Sequence, residues 1–388
     1  MNNIFHLDLD AFFASVEEVI DRTLKNKPMV VSGRLKNSVV STANYEARKL
    51  GIHSAMPIFE AKKIYGGLVV VSGHYHLYDE YSQKFFKILR TFFTNNIEES
   101  SIDECYIDIS DIIKKHKNEI ELAKKIQKTV QHELGITVSI GISYNKFLSK
   151  MATDLNKPNG ITIIDKNNLE QILWPLNINR MFLIGNSTAN KLKKNNINTI
   201  GDLAKCEDIN LLKSILNKNW FTHLEHANGN GNAKLDLSYN KPKSISTSHT
   251  LLNPSNDLNE LQNYLKYMIK EIVDKLNYYN LKGRTISIVY KKINRKNYNK
   301  STTVSNYINS FEQIYHHVLE LLDQCFFDEE WRLIGAGISN LIENDREELN
   351  IFNIIKKQKN AYIKIIDEVN SKIKKDILFL ASEKFTTK

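Results

Sequence analysis

The apolar residues of this chain change their spacing along the sequence, and the order of these changes limits the fold more than any other feature. The first residues, NIFHLDLDAFFASVEEVID, alternate apolar with polar positions and continue from Ala11 with the spacing of an amphipathic helix. Strand-like and helix-like segments go on alternating up to about residue 165. This mixture predicts an α/β or α+β domain for the first part of the chain.

Short patterns predict the individual elements of this part. Runs rich in β-branched residues predict strands in KPMVVSG, SVVSTAN, ITVSIGISYN and ITII. Helical spacing predicts helices in TANYEARKLGI, in residues 76–94 and 119–134, and in NKFLSKMATDLNKPNG. Gly51 fits the end of the first of these helices, and Pro158 with Gly160 fits the end of the last.

The rest of the chain is organised differently. Residues 166–232 predict short helices without strands, and residues 233–242 have the Gly, Asn and Pro content of a linker. Residues 243–342 predict a strand, a helix, two strands, a helix and a strand, which is the order of a β-α-β-β-α-β sandwich. A polar break and a lysine-rich tail occupy residues 343–388.

The chain has 388 residues and a net charge of +9, which favours two or more domains and a polyanionic partner. Its apolar runs are too short to span a bilayer, and the acids in MNNIFHLDLD argue against a secretory signal. Three scattered cysteines, Cys105, Cys206 and Cys325, fit a reduced cytosol and exclude a zinc site built on cysteines. We therefore expect a cytoplasmic protein without membrane contact.

Two adjacent acids, Asp103 and Glu104, directly precede the apolar strand in ESSIDECYIDIS. Neighbouring side chains of a strand point to opposite faces, so a regular strand would bury one carboxylate at high cost. A turn formed with Ser100 and Ser101 avoids this cost and lets both carboxylates converge. Because converging carboxylates repel each other, this pair predicts a site for a divalent cation.

A third carboxylate comes from the first strand, where Asp8 and Asp10 are two residues apart and share one face. Asp8, Asp103 and Glu104 together would bind two Mg²⁺ ions, which clamp the attacking and leaving oxygens of phosphoryl transfer. Each acid alone is more often an ordinary surface residue, and Asp10 stays open between a supporting and a structural role. DLDAF also fits the opening of haloacid dehalogenase-type phosphatases, in which the first Asp is the nucleophile.

Four blocks of the sequence resemble Y-family translesion DNA polymerases of the DNA polymerase IV, or DinB-like, type. They are HLDLDAFFASVE (6–17), VVSTANYEARKLGIHSAMP (39–57), SIDECYIDIS (101–110) and VSIGISYNKFLSKMATDLNKPNG (138–160). The resemblance implies an α+β right-hand polymerase with several domains. They are a palm (1–10 and 73–165), fingers (11–72), a helical thumb (166–232), a linker (233–242), a little finger (243–342) of the β-α-β-β-α-β type, and a tail (343–388).

The resemblance also implies the chemistry. Asp8, Asp103 and Glu104 are the catalytic metal ligands, the Leu9 carbonyl assists them, and two Mg²⁺ ions are the cofactors. The partners are primer-template DNA and dNTPs, and the expected reaction is error-prone translesion synthesis by a monomer. A catalytically weak DNA- or clamp-binding scaffold remains the alternative from another class, beside the phosphatase.

A nucleotide pocket can be assigned by the same resemblance. Phe13 takes the position of the steric gate, where a ring under the sugar collides with a 2′-hydroxyl, although a core role is its alternative. Phe12 beside it is included in the pocket but is the better core candidate. The remaining pocket residues are the triphosphate ligands Tyr45, Arg48 and Lys157 and the small Ser41 and Thr42, which leave room for damaged bases.

The expected DNA contacts are basic residues in the thumb and little finger: Lys191, Lys193, Lys243, Arg284, Lys291 and Lys292. The family usually carries Pro-Gly-x-Gly in the thumb, whose amides hold a phosphate. This chain has Phe182 and Leu183 instead of Pro and Gly, and a leucine adopts positive φ only at a cost. The phosphate-binding turn of the thumb is therefore in question.

The segment REELNIFN (346–353) resembles the Gln-Leu-x-Leu-Phe peptide that docks such polymerases on the sliding clamp. Glu348 stands where Gln is usual, and Leu349, Ile351 and Phe352 are the expected apolar anchors. A simple tail helix is the alternative for this segment.

Overall fold

The computed structural model of the chain describes residues 3–33, 38–237, 241–294, 296–325 and 328–344. The chain divides into two units, one up to residue 238 and one from residue 239. The segment expected to bind the clamp, 346–353, lies outside the described residues. Among the residues described, no helix combines the length and the apolar character needed to cross a bilayer.

The first unit alternates strands with helices up to residue 165. These elements are β1 (Ile4–Leu9), α1 (Phe12–Ile20), β2 (Met29–Ser32), β3 (Val40–Ala43), α2 (Tyr45–Lys49), α3 (Ile58–Ile64), β4 (Val69–Ser72), α4 (Tyr75–Phe92), β5 (Ile97–Glu99), β6 (Glu104–Asp108), α5 (Glu119–Leu134), β7 (Val138–Ser143), α6 (Lys146–Leu155) and β8 (Ile161–Ile163). The mixed pattern predicted from the sequence is confirmed, whereas α3, β4 and β5 had no predicted counterpart.

The later part of this unit is helical. It contains α7 (Leu169–Ile172), α8 (Asn186–Lys193), α9 (Ile200–Ala204), α10 (Ile209–Leu216) and α11 (Trp220–Ala227). Between the described residues 166 and 232 there is no strand, as predicted. Side chains of α6 pack into the same apolar cluster as these helices. Helix α6 therefore joins the sheet to the helical part.

The larger sheet of the first unit has the strand order β5-β6-β1-β7-β8, so β1 is its central strand. The odd-numbered residues of β1, Phe5, Leu7 and Leu9, are buried in one cluster with α4 and α5. The even-numbered His6 points to the other face and meets Thr153 of α6. Because alternate residues point to opposite faces, Asp8 lies on the α6 side as well. A second sheet has the order β3-β2-β4.

Gly141 lets α6 lie directly on the larger sheet. A Cβ at this position of β7 would stand 2.0 Å from the carbonyl oxygen of Ser149 and 2.4 Å from the amide of Thr153. A glycine within a strand often marks such a close backbone approach. The N-terminus of α6 is fixed by Asn145, whose side chain accepts a hydrogen bond from the Leu148 amide at 2.9 Å. Both features place the next turn of α6 over β1 and β6.

The second unit is the predicted β-α-β-β-α-β sandwich. Its elements are β9 (Ser244–Ser255), α12 (Leu258–Tyr278), β10 (Leu281–Lys292), β11 (Asn297–Ile308), α13 (Phe311–Asp323), β12 (Trp331–Ser339) and the short β13 (Ile342–Glu343). Its main sheet has the order β11-β10-β12-β9, and α12 and α13 share its apolar core. Asp257 and Ser310 cap the two helices with side-chain hydrogen bonds to backbone amides.

Candidate active site

The turn between β5 and β6 places the paired acids as the sequence predicted. The backbone amides of Ser100 and Ser101 both donate to the Glu104 carbonyl, at 3.0 and 3.1 Å. The Asp103 carbonyl in turn accepts from the Leu9 amide at 2.9 Å. In the antiparallel pairing of β1 with β6, Asp8 lies directly opposite Glu104. The turn and the register therefore bring three acids from two distant segments to one end of the sheet.

Two lysines of the α6 region bind these acids. The Lys150 ammonium group lies 3.1 Å from Asp8 Oδ2 and 2.6 Å from Glu104 Oε2, so one cation joins the two carboxylates. Lys157 Nζ lies 2.6 Å from the same Asp8 oxygen. Both lysines also contact Asp154. The carboxylates of Asp8 and Glu104 thus face a position that a cation already occupies.

Asp103 has its own hydrogen-bond partner within the turn. The Ser101 hydroxyl donates to Asp103 Oδ1 at 2.5 Å, which fixes the side chain within the turn. Burial raises the pKa of the Asp103 carboxyl, and the charges of Asp8 and Glu104 raise it further. In the described part of the chain, donor atoms of the three acids do not all come within 4.8 Å of one another. A single ion bound by all three acids would therefore require their carboxylates to come closer together.

His6 supports Glu104 from the interior. Its Nε2 is fully buried, has no hydrogen-bond partner within normal geometry among the described residues, and lies 3.4 Å from Glu104 Oε2. Its Nδ1 lies 2.9 Å from the Thr153 hydroxyl. Burial opposes ionisation of Glu104, but His6 and Lys150 outweigh it and hold the pKa of this carboxyl well below its usual value. Glu104 is therefore ionised at neutral pH.

This set of groups fits a hard divalent cation. Its donors are carboxylate oxygens, which Mg²⁺ and similar ions prefer over nitrogen or sulfur. The ammonium group of Lys150 stands between two of them. The unpartnered His6 nitrogen is aimed at Glu104 in the way that an outer-shell donor orients a metal-bound carboxylate. The residues that would hold the ion are Asp8, Asp103 and Glu104, with the Leu9 carbonyl assigned by resemblance.

Phe13 lies in the first turn of α1. Its ring stacks on Tyr78 of α4 with 4.2 Å between ring centroids and 10° between planes. The Tyr78 hydroxyl donates to the buried Glu17 carboxylate at 2.5 Å. Phe13 is thus half-buried against a fixed aromatic support. Phe12 is only 3% exposed and belongs to the apolar core, so its side chain is a packing residue and the pocket assignment does not suit it.

Tyr45 and Arg48 lie on α2, which begins after Asn44. The Asn44 side chain accepts from the amides of Ala47 and Met29, which ties this helix to β2. The Tyr45 hydroxyl donates to Asp10 Oδ1 at 3.2 Å. The Arg48 guanidinium lies 4.9 Å from the Tyr45 ring centroid, and its Nε donates to the Ala43 carbonyl. The two candidate triphosphate ligands thus form one stacked pair.

The small residues Ser41 and Thr42 lie on β3, the strand directly before α2. Both are half-buried, and Thr42 pairs with Val31 of β2. Their strand leads into Tyr45 through Asn44, which places them on the same part of the fold as the α2 pair. Because neighbouring side chains of a strand point to opposite faces, Ser41 and Thr42 lie on different sides of β3.

The thumb turn is retained despite the two replaced residues. Leu183 has a backbone φ of +71°, a conformation that glycine adopts without strain. Phe182 and Leu183 are both exposed, and the turn leads into α8 at Gly185. Lys191 is exposed on this helix, and Lys193 near its end is half-buried. A turn is therefore present at Phe182 and Leu183, with the leucine in a strained conformation, and phosphate binding by this turn stays a prediction.

The four basic residues expected in the second unit do not share one face. Lys243 is exposed just before β9, and Arg284 lies with its guanidinium 5.4 Å from the Tyr307 ring centroid. Lys291 is half-exposed, but Lys292 is 4% exposed and forms an ion pair with Asp328. Neighbouring residues of a strand point to opposite faces, so Lys291 and Lys292 could not both face DNA. The expectation for Lys292 is wrong for this reason.

The sequence analysis missed Lys150, His6 and the partners of Asp10. A signal for Lys150 is present, because Lys150 and Asp154 are charged, four residues apart, on a helix whose residues 147–153 are otherwise apolar or small and buried. His6 carries no comparable signal. Its importance follows only from the packing of α6 against β1.

Comparisons with known proteins agree with this geometry. A model of the impB/mucB/samB family matches residues 7–154, and a model of the impB/mucB/samB family C-terminal domain matches residues 242–351. The chain is 36% identical over 354 residues to the DNA polymerase IV of Ureaplasma parvum, covering 90% of this chain and 98% of that protein. It is 34% identical over 375 residues to DNA polymerase IV 1 of Bacillus subtilis, covering 95% of this chain and 90% of that protein.

Solved structures give the same result. A Y-family DNA polymerase chimera of Dbh and Dpo4 superposes with a TM-score of 0.79 at 29% identity, covering 88% of this chain and 99% of that chain. An insertion ternary complex of Dbh DNA polymerase superposes with a TM-score of 0.63 at 30% identity and the same coverage. The α+β right-hand polymerase fold expected from the sequence is confirmed. The chain belongs to the impB/mucB/samB family of Y-family polymerases and is a DNA-directed DNA polymerase of the translesion class.

Proposed function

We propose that this polymerase extends the 3′ end of a DNA primer on its template, with dNTPs as substrates and two Mg²⁺ ions as cofactors. The observation that supports the proposal is that Asp8 and Glu104 both contact the ammonium group of Lys150, at the end of the sheet where the turn places Asp103. In this proposal the primer 3′-hydroxyl attacks the α-phosphate and pyrophosphate leaves. When bound, the ions neutralise the charge that develops on the reacting phosphate.

The side chains around the acids have separate tasks. Tyr45 and Arg48 bind the triphosphate through a hydroxyl and a planar guanidinium, and Lys157 adds a point charge. The Phe13 ring, supported by Tyr78, excludes nucleotides that carry a 2′-hydroxyl. Ser41 and Thr42 leave the pocket loose around the new base pair, which lowers shape discrimination and permits damaged templates.

DNA and partner contacts complete the proposal. Lys191, Lys193, Lys243, Arg284 and Lys291 neutralise backbone phosphates without reading sequence. Leu349, Ile351 and Phe352 dock the enzyme on a sliding clamp as apolar anchors. The enzyme acts as a monomer. It works in the cytoplasm, where its DNA substrate is located.

Primer extension with a matched pair of variants tests the central claim. In Asp103→Asn the Ser101 contact is kept but the charge is lost, and we expect extension to fall roughly a thousandfold, since a metal site supplies several kcal/mol. Asp108→Asn is the control, because Asp108 also accepts a serine hydroxyl, from Ser110 at 2.6 Å, but ends β6 far from the site. Equal activity of the two variants would refute the assignment.

The scaffold alternative gives a different result in the same assay. A scaffold would bind primer-template DNA without extending it, for the wild-type chain as for both variants. Removal of divalent ions with EDTA should stop extension by the wild-type enzyme, and added Mg²⁺ should restore it. Restoration by Mn²⁺ but not by Mg²⁺ would contradict the choice of ion while leaving the reaction intact.

A further inference from the structure

Asp10 is a buried acid between the metal-binding acids and the nucleotide pocket, and its side chain is 1% exposed. Each of its oxygens accepts two hydrogen bonds. Oδ1 accepts from the hydroxyls of Ser139, at 2.7 Å, and Tyr45, at 3.2 Å. Oδ2 accepts from the Thr137 hydroxyl at 2.8 Å and from the Asn159 amide at 2.8 Å. A buried carboxylate costs free energy unless it is satisfied in this way.

Two of these four partners lie next to proposed triphosphate ligands. Tyr45 is one of those ligands and belongs to α2, and Asn159 follows Lys157 by two residues. The loop at Asn159 is held on its other side by Gln127, whose side-chain amide donates to the carbonyls of Asn159 and Gly160. Ser139 and Thr137 attach the same carboxylate to β7 and to the residue before it. Asp10 therefore joins the nucleotide-binding parts of two separate segments to the sheet.

The bond to Tyr45 differs from the other three. Hydroxyl hydrogen bonds are usually 2.7–2.8 Å long, so 3.2 Å marks the weakest contact of this carboxylate. A phenol has one proton, and here the proton points to Asp10. The other three contacts keep Asp10 in place when the Tyr45 proton turns to a phosphate oxygen.

We propose that Asp10 is a positioning residue for the nucleotide, which holds Tyr45 and the segment after Lys157 in place for the triphosphate. This inference rests on the proposed function, because it takes Tyr45 as a triphosphate ligand. Asp10 touches neither the nucleotide nor the ions. It sets the affinity for dNTP through Tyr45 and leaves the rate of the chemical step to the three acids.

The variant Asp10→Asn tests this with little change in volume. The Asn159 amide can only donate, so the new side chain must turn its oxygen toward Asn159 and its NH₂ group toward Tyr45 and Ser139. Tyr45 then accepts a hydrogen bond and loses its fixed orientation as a donor. We expect the KM for dNTP to rise about tenfold, equivalent to about 1.4 kcal/mol, with kcat within about twofold of the wild type.

A double-mutant cycle with Tyr45→Phe separates positioning from general stability. In the Tyr45→Phe background, Asp10→Asn should raise the KM only slightly further, because its effect acts through the missing hydroxyl. The same multiplicative rise in both backgrounds would overturn the inference, as would a lower thermal midpoint with an unchanged KM. Asp108→Asn is the matched control and should leave the KM for dNTP unchanged.

An incorrect enzyme function and an incorrect role of Asp10 would give different results. If wild-type protein and Asp108→Asn extend no primer, the proposed function is wrong and this inference falls with it. If both extend primers normally and Asp10→Asn has the wild-type KM, only the role of Asp10 is wrong. If Tyr45→Phe has the wild-type KM for dNTP while Asp10→Asn has a raised KM, Asp10 does not act through the Tyr45 hydroxyl and the inference is also overturned.

Discussion

Replacing Leu183 with glycine should stabilise the protein, although it removes an apolar side chain. The backbone φ of Leu183 is +71°, in the left-handed region. For a residue with a Cβ this conformation costs about 1–2 kcal/mol of folding free energy, whereas for glycine it costs almost none. The Leu183 side chain is 63% exposed, so little buried apolar surface is lost with it.

The effect of glycine on the unfolded chain opposes this gain in stability. Glycine gives the unfolded chain more freedom, which costs about 0.5–1 kcal/mol on folding. The net gain for Leu183→Gly is therefore about 0.5–1 kcal/mol. For a unit of this size it corresponds to a rise in the thermal midpoint of about 1–4 °C.

Thermal and urea denaturation of three variants isolate the backbone effect. Leu183→Ala keeps the Cβ and its strain but loses the rest of the side chain, so glycine should be more stable than alanine at this position. Phe182→Gly, at the neighbouring residue, serves as the control and should destabilise, because Phe182 is less exposed than Leu183. If Leu183→Gly is less stable than Leu183→Ala, the strain argument is refuted.

Three further predictions concern the steric gate, the contact of α6 with the sheet and a buried phenol. Phe13→Ala should admit ribonucleotides, raising their kcat/KM relative to deoxynucleotides by roughly a hundredfold, and an unchanged ratio in single-nucleotide insertion would make Phe13 a packing residue. Gly141→Ala should destabilise by more than about 2 kcal/mol in urea denaturation, because the Cβ would meet the Ser149 carbonyl, whereas Gly66→Ala, where nothing lies within 4 Å, should change little. Burial, with a hydrogen bond to Glu17, raises the pKa of Tyr78 above its ordinary value. Above about pH 10 the Tyr78 phenol therefore keeps its proton in the folded state and loses it in the unfolded state. The stability that this group contributes is present below about pH 10 and falls as the pH rises further. Tyr78→Phe should weaken this alkaline loss of stability in thermal scans between pH 9 and about 11.

The acid pair and its turn could be predicted because their cause is local. Two adjacent carboxylates before an apolar strand have only a turn as a low-cost solution, and Ser100 and Ser101 supply it. The β-α-β-β-α-β order was equally accessible, since each of its elements has a clear apolar period. Strand β5 was missed because its sequence, Ile-Glu-Glu, has a single apolar residue, whereas the equally short β8 lies in the apolar run ITII.

The contacts between distant segments could not be predicted in this way. Lys292 looked like part of a basic strand, but it lies on the buried side of β10 after Ile288 and Tyr290, and its partner Asp328 comes from outside this strand. Asp10 stayed undecided because its four partners come from three different places in the chain. Such contacts exist only after the sheet has formed.

The sequence by itself determined most of the elements, the adjacent acids and the family, because local period and short motifs encode them. The tertiary structure alone decided that α6 lies against the sheet at Gly141 and brings Lys150 between Asp8 and Glu104. It also decided that Asp10 accepts a hydrogen bond from Tyr45. The physical reason is that a side chain's partners follow from packing and register between segments far apart in sequence, which no local pattern records.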